Sequence, residues 1–304
     1  MLLLFRFKFE GECYMLKINE LKTKRVKPRV ADTVNQTRAL LENAIISYFQ
    51  DKSLFNISED LFLYEFDDYT LTTNTFEDIT HVFYLEIDQV NNFKETFIKK
   101  NKMVPDLFLS LEKIKDGLFE SVVKTFSDNS LIYMDKYSIN INSNYLINES
   151  ETKNYYFKLI PCLTYRNANG VEGVKYYTND FRDVEIEYPK IAEENFIRKN
   201  EETQGAFLDS ILIFKNIFSK QDKSLILPTE IFETILYNVP NSLFNTNFTQ
   251  SALSIINYLR NKNMRDYLTI DEQDYAFVSN FRSMSLIYAK RVISIVSNYI
   301  KSHL

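Results

Sequence analysis

Apolar residues recur at helical spacing through the second half of the chain, and alternate or cluster in short runs through the first. The clearest helical stretch is EYPKIAEENFIRKNEETQGAFLDSILIFKNI, from Glu187 to Ile217. Pro189 has φ fixed near the helical value and lacks an N–H, so it suits the first helical position. A short helix is predicted to about Lys199, closed by Asn200, which tolerates the left-handed conformation. Thr203 then offers a hydroxyl to the next turn's free N–H groups, a cap worth ~1 kcal/mol. Phe207, Ile211, Phe214 and Phe218 follow as one buried stripe. LPTEIFETILYNVP predicts a further helix stopping at Asn238–Val239–Pro240, and two more run from Asn247 to Arg260 and from Phe281 to Ile300. On the last, Tyr288, Val292, Ile295, Val296 and Tyr299 form the inner side.

The first half has a different rhythm. Phe5, Phe7 and Phe9 alternate with Arg6, Lys8 and Glu10, as in a half-buried strand. Residues 1–15 also fit an N-terminal extension, with Met15 as an alternative start. Lys22, Lys24, Arg25, Lys27 and Arg29 make a basic run that Pro28 keeps extended. It serves either as a solvated approach to a helix or as a phosphate contact. Thr33 or Asn35 caps a helix with Leu40, Leu41, Ala44, Ile45 and Tyr48 on one face. LFLYEF and HVFYLEI read as strands around a polar turn region. Helices are predicted over Lys94–Lys100 and Pro105–Thr125, the second burying Leu107, Leu111, Ile114, Leu118, Val122 and Val123. Strands follow near Ser130–Met134, Tyr137–Ile141 and Tyr155–Leu163. The change to all-helical patterning near residue 183 places a mixed sheet lobe at 1–184 and a helical lobe at 185–304.

Composition narrows the function classes. The 304 residues are 45% hydrophobic and 25% charged, enough for one large or two modest domains with sizeable cores. A net charge of −5 argues against electrostatic capture of long nucleic acid, which usually needs a basic domain. Cys13 and Cys162 have only His81 and His303 beside them, so neither a zinc site nor a disulfide framework is indicated. A cytoplasmic setting is the default, and no apolar run approaches the ~18 residues of a membrane span.

The wording of the helical half is more specific than its periodicity. YPK, then N…KN, then Thr203 and a helix ending in IFKNI, followed by a helix ending in YNVP, resembles the bacterial cyclic-oligonucleotide synthases (CD-NTases). These are relatives of oligoadenylate synthetase and cyclic GMP-AMP synthase. The resemblance spans roughly residues 20–300 and is strongest over 155–240. It implies an α+β, two-lobed, polymerase β-like fold, in which the helix after Thr203 is the spine of the two lobes. It also implies a nucleoside triphosphate (NTP) in the cleft and a role in antiviral defence.

Such enzymes hold Mg²⁺ or Mn²⁺ on three carboxylates of neighbouring strands, because hard cations want oxygen ligands. A Gly-Ser turn grips the triphosphate. Here the turn falls on Asp67 and Asp68, followed by matching Tyr69 and Thr73. The D-x-D pair falls on Asp78 and Thr80, and the third acid on Lys158 of YYFKLIP. Ala206, Leu208 and Leu212 stand where the family tends to carry basic residues; Lys215 remains. The resemblance assigns nucleotide binding to Asp67, Asp68, Tyr69, Thr73, Lys199, Asn200, Thr203 and Lys215, and a residual metal contact to Asp78. Lys158 is then expected to pair with Asp78.

Three readings follow. The first is a degenerate, nucleotide-binding or regulatory pseudoenzyme. The second is an active transferase using Mg²⁺ or Mn²⁺ on displaced acids, Glu86 and Asp88 of HVFYLEID, which requires a longer preceding loop. The third is a partner-binding structural protein with a filled cleft.

Overall fold

The computed structural model describes residues 28–51, 63–67, 79–87, 104–126, 131–142, 155–177, 184–225, 227, 229–245, 248–277 and 286–303. The chain divides into two compact units, one over Arg25–Pro189 and one that takes in Lys190–Leu304.

Among its described residues the first unit is a mixed sheet under two helices. Helix α1 (Pro28–Asp51) precedes strands β1 (Leu63–Asp67) and β2 (Ile79–Glu86). Helix α2 (Val104–Phe126) precedes β3 (Leu131–Met134), β4 (Ile139–Asn142), β5 (Tyr155–Arg166), β6 (Glu172–Tyr177) and β7 (Val184–Glu187). The strand order is β1-β2-β5-β4-β3, with β6 and β7 continuing from the far end of β5. Among the described strands only the central β2–β5 pair is parallel.

Strand alternation decides which face is covered. Phe83 and Leu85 of β2, Phe157 and Leu159 of β5, and Ile139 and Ile141 of β4 point to one side. There they pack on Leu41, Ala44, Ile45 and Tyr48 of α1 and Leu118, Val122 and Phe126 of α2. The two helices meet closely because position 117 is glycine: a Cβ there would lie 2.2 Å from Tyr48 Cε2. Ser121 Oγ also donates to the Ala44 carbonyl at 2.7 Å.

The second unit is helical among its described residues: α3 (Pro189–Glu202), α4 (Ala206–Gln221), α5 (Thr229–Tyr237), α6 (Phe248–Asn261) and α7 (Leu286–His303). The α4 stripe of Phe207, Ile211, Phe214 and Phe218 is at most 1% exposed. Phe207 packs against Phe196, and Phe218 against Phe232. No helix among the described residues is long and apolar enough to cross a membrane.

Several local expectations change. Pro28 opens α1 instead of holding an extended approach, so Thr33 and Asn35 lie inside that helix; a proline at the first turn loses no helical hydrogen bond. Val123 is 43% exposed, because the buried stripe of α2 continues through Val122 to Phe126. Tyr288 is exposed at the start of α7, whose inner side is Ala289, Val292, Ile293, Val296 and Ile300. Asn200 does not close α3. That helix runs to Glu202, and the positive φ falls on Gln204 and Gly205, where glycine tolerates it best. The strand predicted over Phe5–Phe9, the helix over Lys94–Lys100 and residue Cys13 lie outside the described residues.

Candidate functional site

The sheet face turned away from α1 and α2 is where the resemblance puts the chemistry. Along β2 the alternation runs through Thr80, Val82, Tyr84 and Glu86, and along β5 through Tyr156, Lys158, Ile160 and Cys162. Register joins Thr80 to Tyr156 and Val82 to Lys158. On the other side of β5, Lys158 pairs with Asn140. The position expected to carry a third acid is therefore a half-buried lysine in the middle of the sheet, one alternation step along from Thr80. Its cross-strand neighbours Val82 and Asn140 are both uncharged.

That donor set does not fit a divalent metal. An ammonium donates three hydrogens and accepts none, and a threonine hydroxyl supplies no charge to balance Mg²⁺. Among the described residues no group of three or more His, Cys, Asp or Glu could hold a metal ion. Asp67 ends β1, paired with His81. Asp68, Tyr69, Thr73, Asp78 and Asp88 lie outside the described residues, so the expected Asp78–Lys158 pair does too.

Glu86 sits at the other end of β2, six residues on from Thr80 and so about 20 Å along the strand. It is 3% exposed, pairs in register with Cys162, and accepts from Thr164 Oγ1 at 3.3 Å. Nearby, Tyr84, Ile160, Cys162, Val174 and Tyr176 form a small core, with Tyr137 packed against it. Tyr84 donates its hydroxyl to Glu187 of β7, and Tyr137 donates to Glu185 Oε1 at 3.3 Å. Burial, reinforced by the Glu187 charge, pushes the Tyr84 phenol well above its ordinary range.

Lys199, Asn200 and Thr203 come together at the corner between α3 and α4. Thr203 Oγ1 accepts from the Phe207 N–H at 3.1 Å and donates to the Lys199 carbonyl at 2.8 Å. Asn200 Oδ1 accepts from the Leu208 N–H at 3.2 Å. The two side chains thus serve the first turn of α4, whose immediate N-cap, Gly205, has no side chain to offer.

Lys199 turns the other way. Its Nζ donates to the Val239 carbonyl at 2.8 Å and to Asn241 Oδ1 at 2.6 Å. The rings of Phe207, Tyr237 and Phe244 surround it at 5.2–5.5 Å, within cation–π range. Burial lowers its pKa to about 8, with Glu202 opposing the shift. Lys215 Nζ donates to Thr229 Oγ1 at 2.7 Å, tying α4 to the start of α5.

Two asparagines that the sequence reading did not single out brace the same unit. Asn238 binds Leu268 in both directions: its Nδ2 donates to that carbonyl at 2.8 Å, and its Oδ1 accepts from that N–H at 2.9 Å. Asn195 Nδ2 donates to the Ile270 carbonyl at 2.7 Å. Asn238 lies within YNVP and Asn195 within EENF, so both stood inside the stretches that carry the resemblance.

Residues 194–301 match the family of cGAS/DncV-like nucleotidyltransferase C-terminal helical domains. Across 131 residues, 39% of this chain, the sequence is 27% identical to a cyclic UMP-AMP synthase from Rhodothermus marinus. It is 31% identical over 134 residues to cyclic nucleotide synthase CdnE01 from Staphylococcus haemolyticus. The matches span 46% and 44% of those two relatives, less than half of each. The fold extends further. The structure of the R. marinus CdnE c-UMP-AMP synthase with Apcpp and Upnpp superposes with a TM-score of 0.67, covering 94% of this chain and 95% of that one at 18% identity.

The helical half matches the CD-NTase helical domain, and the chain is similar in fold to a CD-NTase synthase. The matched helical segment contains Lys199, Asn200, Thr203, Lys215 and the YNVP turn. In the sheet unit, Thr80 and Lys158 stand on adjacent central strands.

Proposed function

We propose that this CD-NTase-like protein is catalytically impaired, binds nucleoside triphosphates without joining them, and acts as a regulatory pseudoenzyme in antiviral defence. The observation that carries this reading is the register of β2 and β5, which puts Lys158 beside Val82 on the face and strand where the resemblance requires a carboxylate. Nucleotidyl transfer needs the attacking 3′-hydroxyl deprotonated and the charge on the α-phosphate neutralised, and a divalent metal supplies both when bound. Thr80 and Lys158 can hold no such ion. The nucleotide class follows the relatives, whose names describe synthases of cyclic nucleotides. The place in defence follows the family resemblance.

The reading is tested by incubating purified protein with each NTP and with all four together, in Mg²⁺ and in Mn²⁺. Candidate activators and nucleic acid are added in turn. No phosphodiester product above background is expected. Product that forms reproducibly and disappears in Glu86→Gln or Asp88→Asn would overturn the reading and assign catalysis to those acids.

A further inference from the structure

We propose that the sheet face carrying Lys158 binds the polyphosphate of a nucleotide without a metal ion, the Lys158 ammonium taking the negative charge that divalent ions ordinarily carry. The inference rests on the impaired-site reading above and goes further, naming the ionic form of the ligand. Lys158 lies on a central strand, half-buried, with β2 on one side and β4 on the other. Its register partners Val82 and Asn140 bring no charge to neutralise it. Among the described residues the Lys158 side chain has neither an ion pair nor a hydrogen bond. The buried lysines among the described residues behave differently: Lys115 donates to the Asp135 carbonyl and Lys199 to Val239 and Asn241.

A cation on a sheet face with no partner among the described residues is an anion site in chemical terms, since its three donors remain to be satisfied there. Asn140, 2% exposed, stands at the same register level and contributes no charge, its side chain hydrogen-bonded to the Asp135 carboxylate and to Ser138. Uncomplexed triphosphate carries more negative charge than its Mg²⁺ complex. A lysine site therefore favours the free form, the opposite of a carboxylate site.

The test is isothermal titration of the full chain with ATP, GTP, CTP and UTP, once in EDTA and once in excess Mg²⁺. Circular dichroism confirms that each variant is folded. At least one NTP should bind in EDTA, and Mg²⁺ should weaken that binding or leave it unchanged. Lys158→Ala should weaken it about tenfold or more, the loss of one charge-assisted contact, while Lys158→Arg should retain it. Binding that requires Mg²⁺ overturns the proposal, as does binding in EDTA that is equally tight in folded Lys158→Ala. A protein that forms no product and binds no NTP in EDTA overturns this inference alone. Metal-dependent product formation overturns the impaired-site reading as well.

Discussion

Lys199 Nζ lies 2.8 Å from the Val239 carbonyl oxygen, joining the KN…T corner to the YNVP turn. Asn241 Oδ1 takes a second hydrogen and Asn241 Nδ2 reaches Glu202, so the turn is tied to both α3 and its lysine. Three aromatic rings enclose the ammonium. Lys199→Ala removes the donor and leaves a void between those rings, and is expected to destabilise by about 3 kcal/mol. Lys199→Met fills the space without donating and should cost less. Chemical denaturation separates the two; equal, negligible losses would show that the contact contributes nothing.

The same lysine gives a pH dependence with a definite sign. Its folded pKa of about 8 lies below the ordinary ~10.4 of an unfolded chain. Between those values the unfolded chain holds the proton and the folded one has released it, so stability rises with pH. The cost of burying the charge is fully present below about pH 8. Across pH 8 to 9.5 the unfolding free energy of the wild type should therefore rise relative to that of Lys199→Met. Parallel pH profiles for the two proteins would remove Lys199 as the source.

Phe214 is fully buried in the α4 stripe. Phe214→Ala is expected to cost ~3–5 kcal/mol in equilibrium unfolding. A loss under about 1 kcal/mol would mean that the stripe is not the core of this unit.

At the crossing of α1 and α2, Gly117→Ala would drive a methyl into the Tyr48 ring. A cost of about 1–3 kcal/mol is expected. It should shrink in a Tyr48→Ala background, because the two positions are in contact. An undiminished cost would place the strain elsewhere.

The helical stripe of α4, the stop at YNVP and the central strands themselves were legible because periodicity and proline report directly on backbone and burial. The pairing of Lys199 with Val239 was not, since no local pattern announces a contact across α4 and α5. The resemblance marked Lys199 for nucleotide, and the structure adds its internal partners. Strands β6 and β7 escaped notice because VEIE is short and half polar, and Gly173 interrupts β6. That glycine is required by a close approach: a Cβ would stand 2.5 Å from the Glu187 carbonyl oxygen. Thr80 and Lys158, where the resemblance expects acids, were visible as letters. Their register across β2 and β5 needed the sheet.

The account turns on whether positions 78, 80 and 158 once formed a metal site and now cannot. Thermal melts with and without Mn²⁺ test this directly, on the wild type and on the double substitution Thr80→Asp with Lys158→Asp. The double variant should be less stable alone, through repulsion among like charges, and regain stability with metal. At about 100-fold excess over Kd the gain is about 3 kcal/mol, or ~5–10 °C. The wild type should show no metal-dependent shift. A wild type stabilised by Mn²⁺, or a folded double variant indifferent to it, would contradict the account.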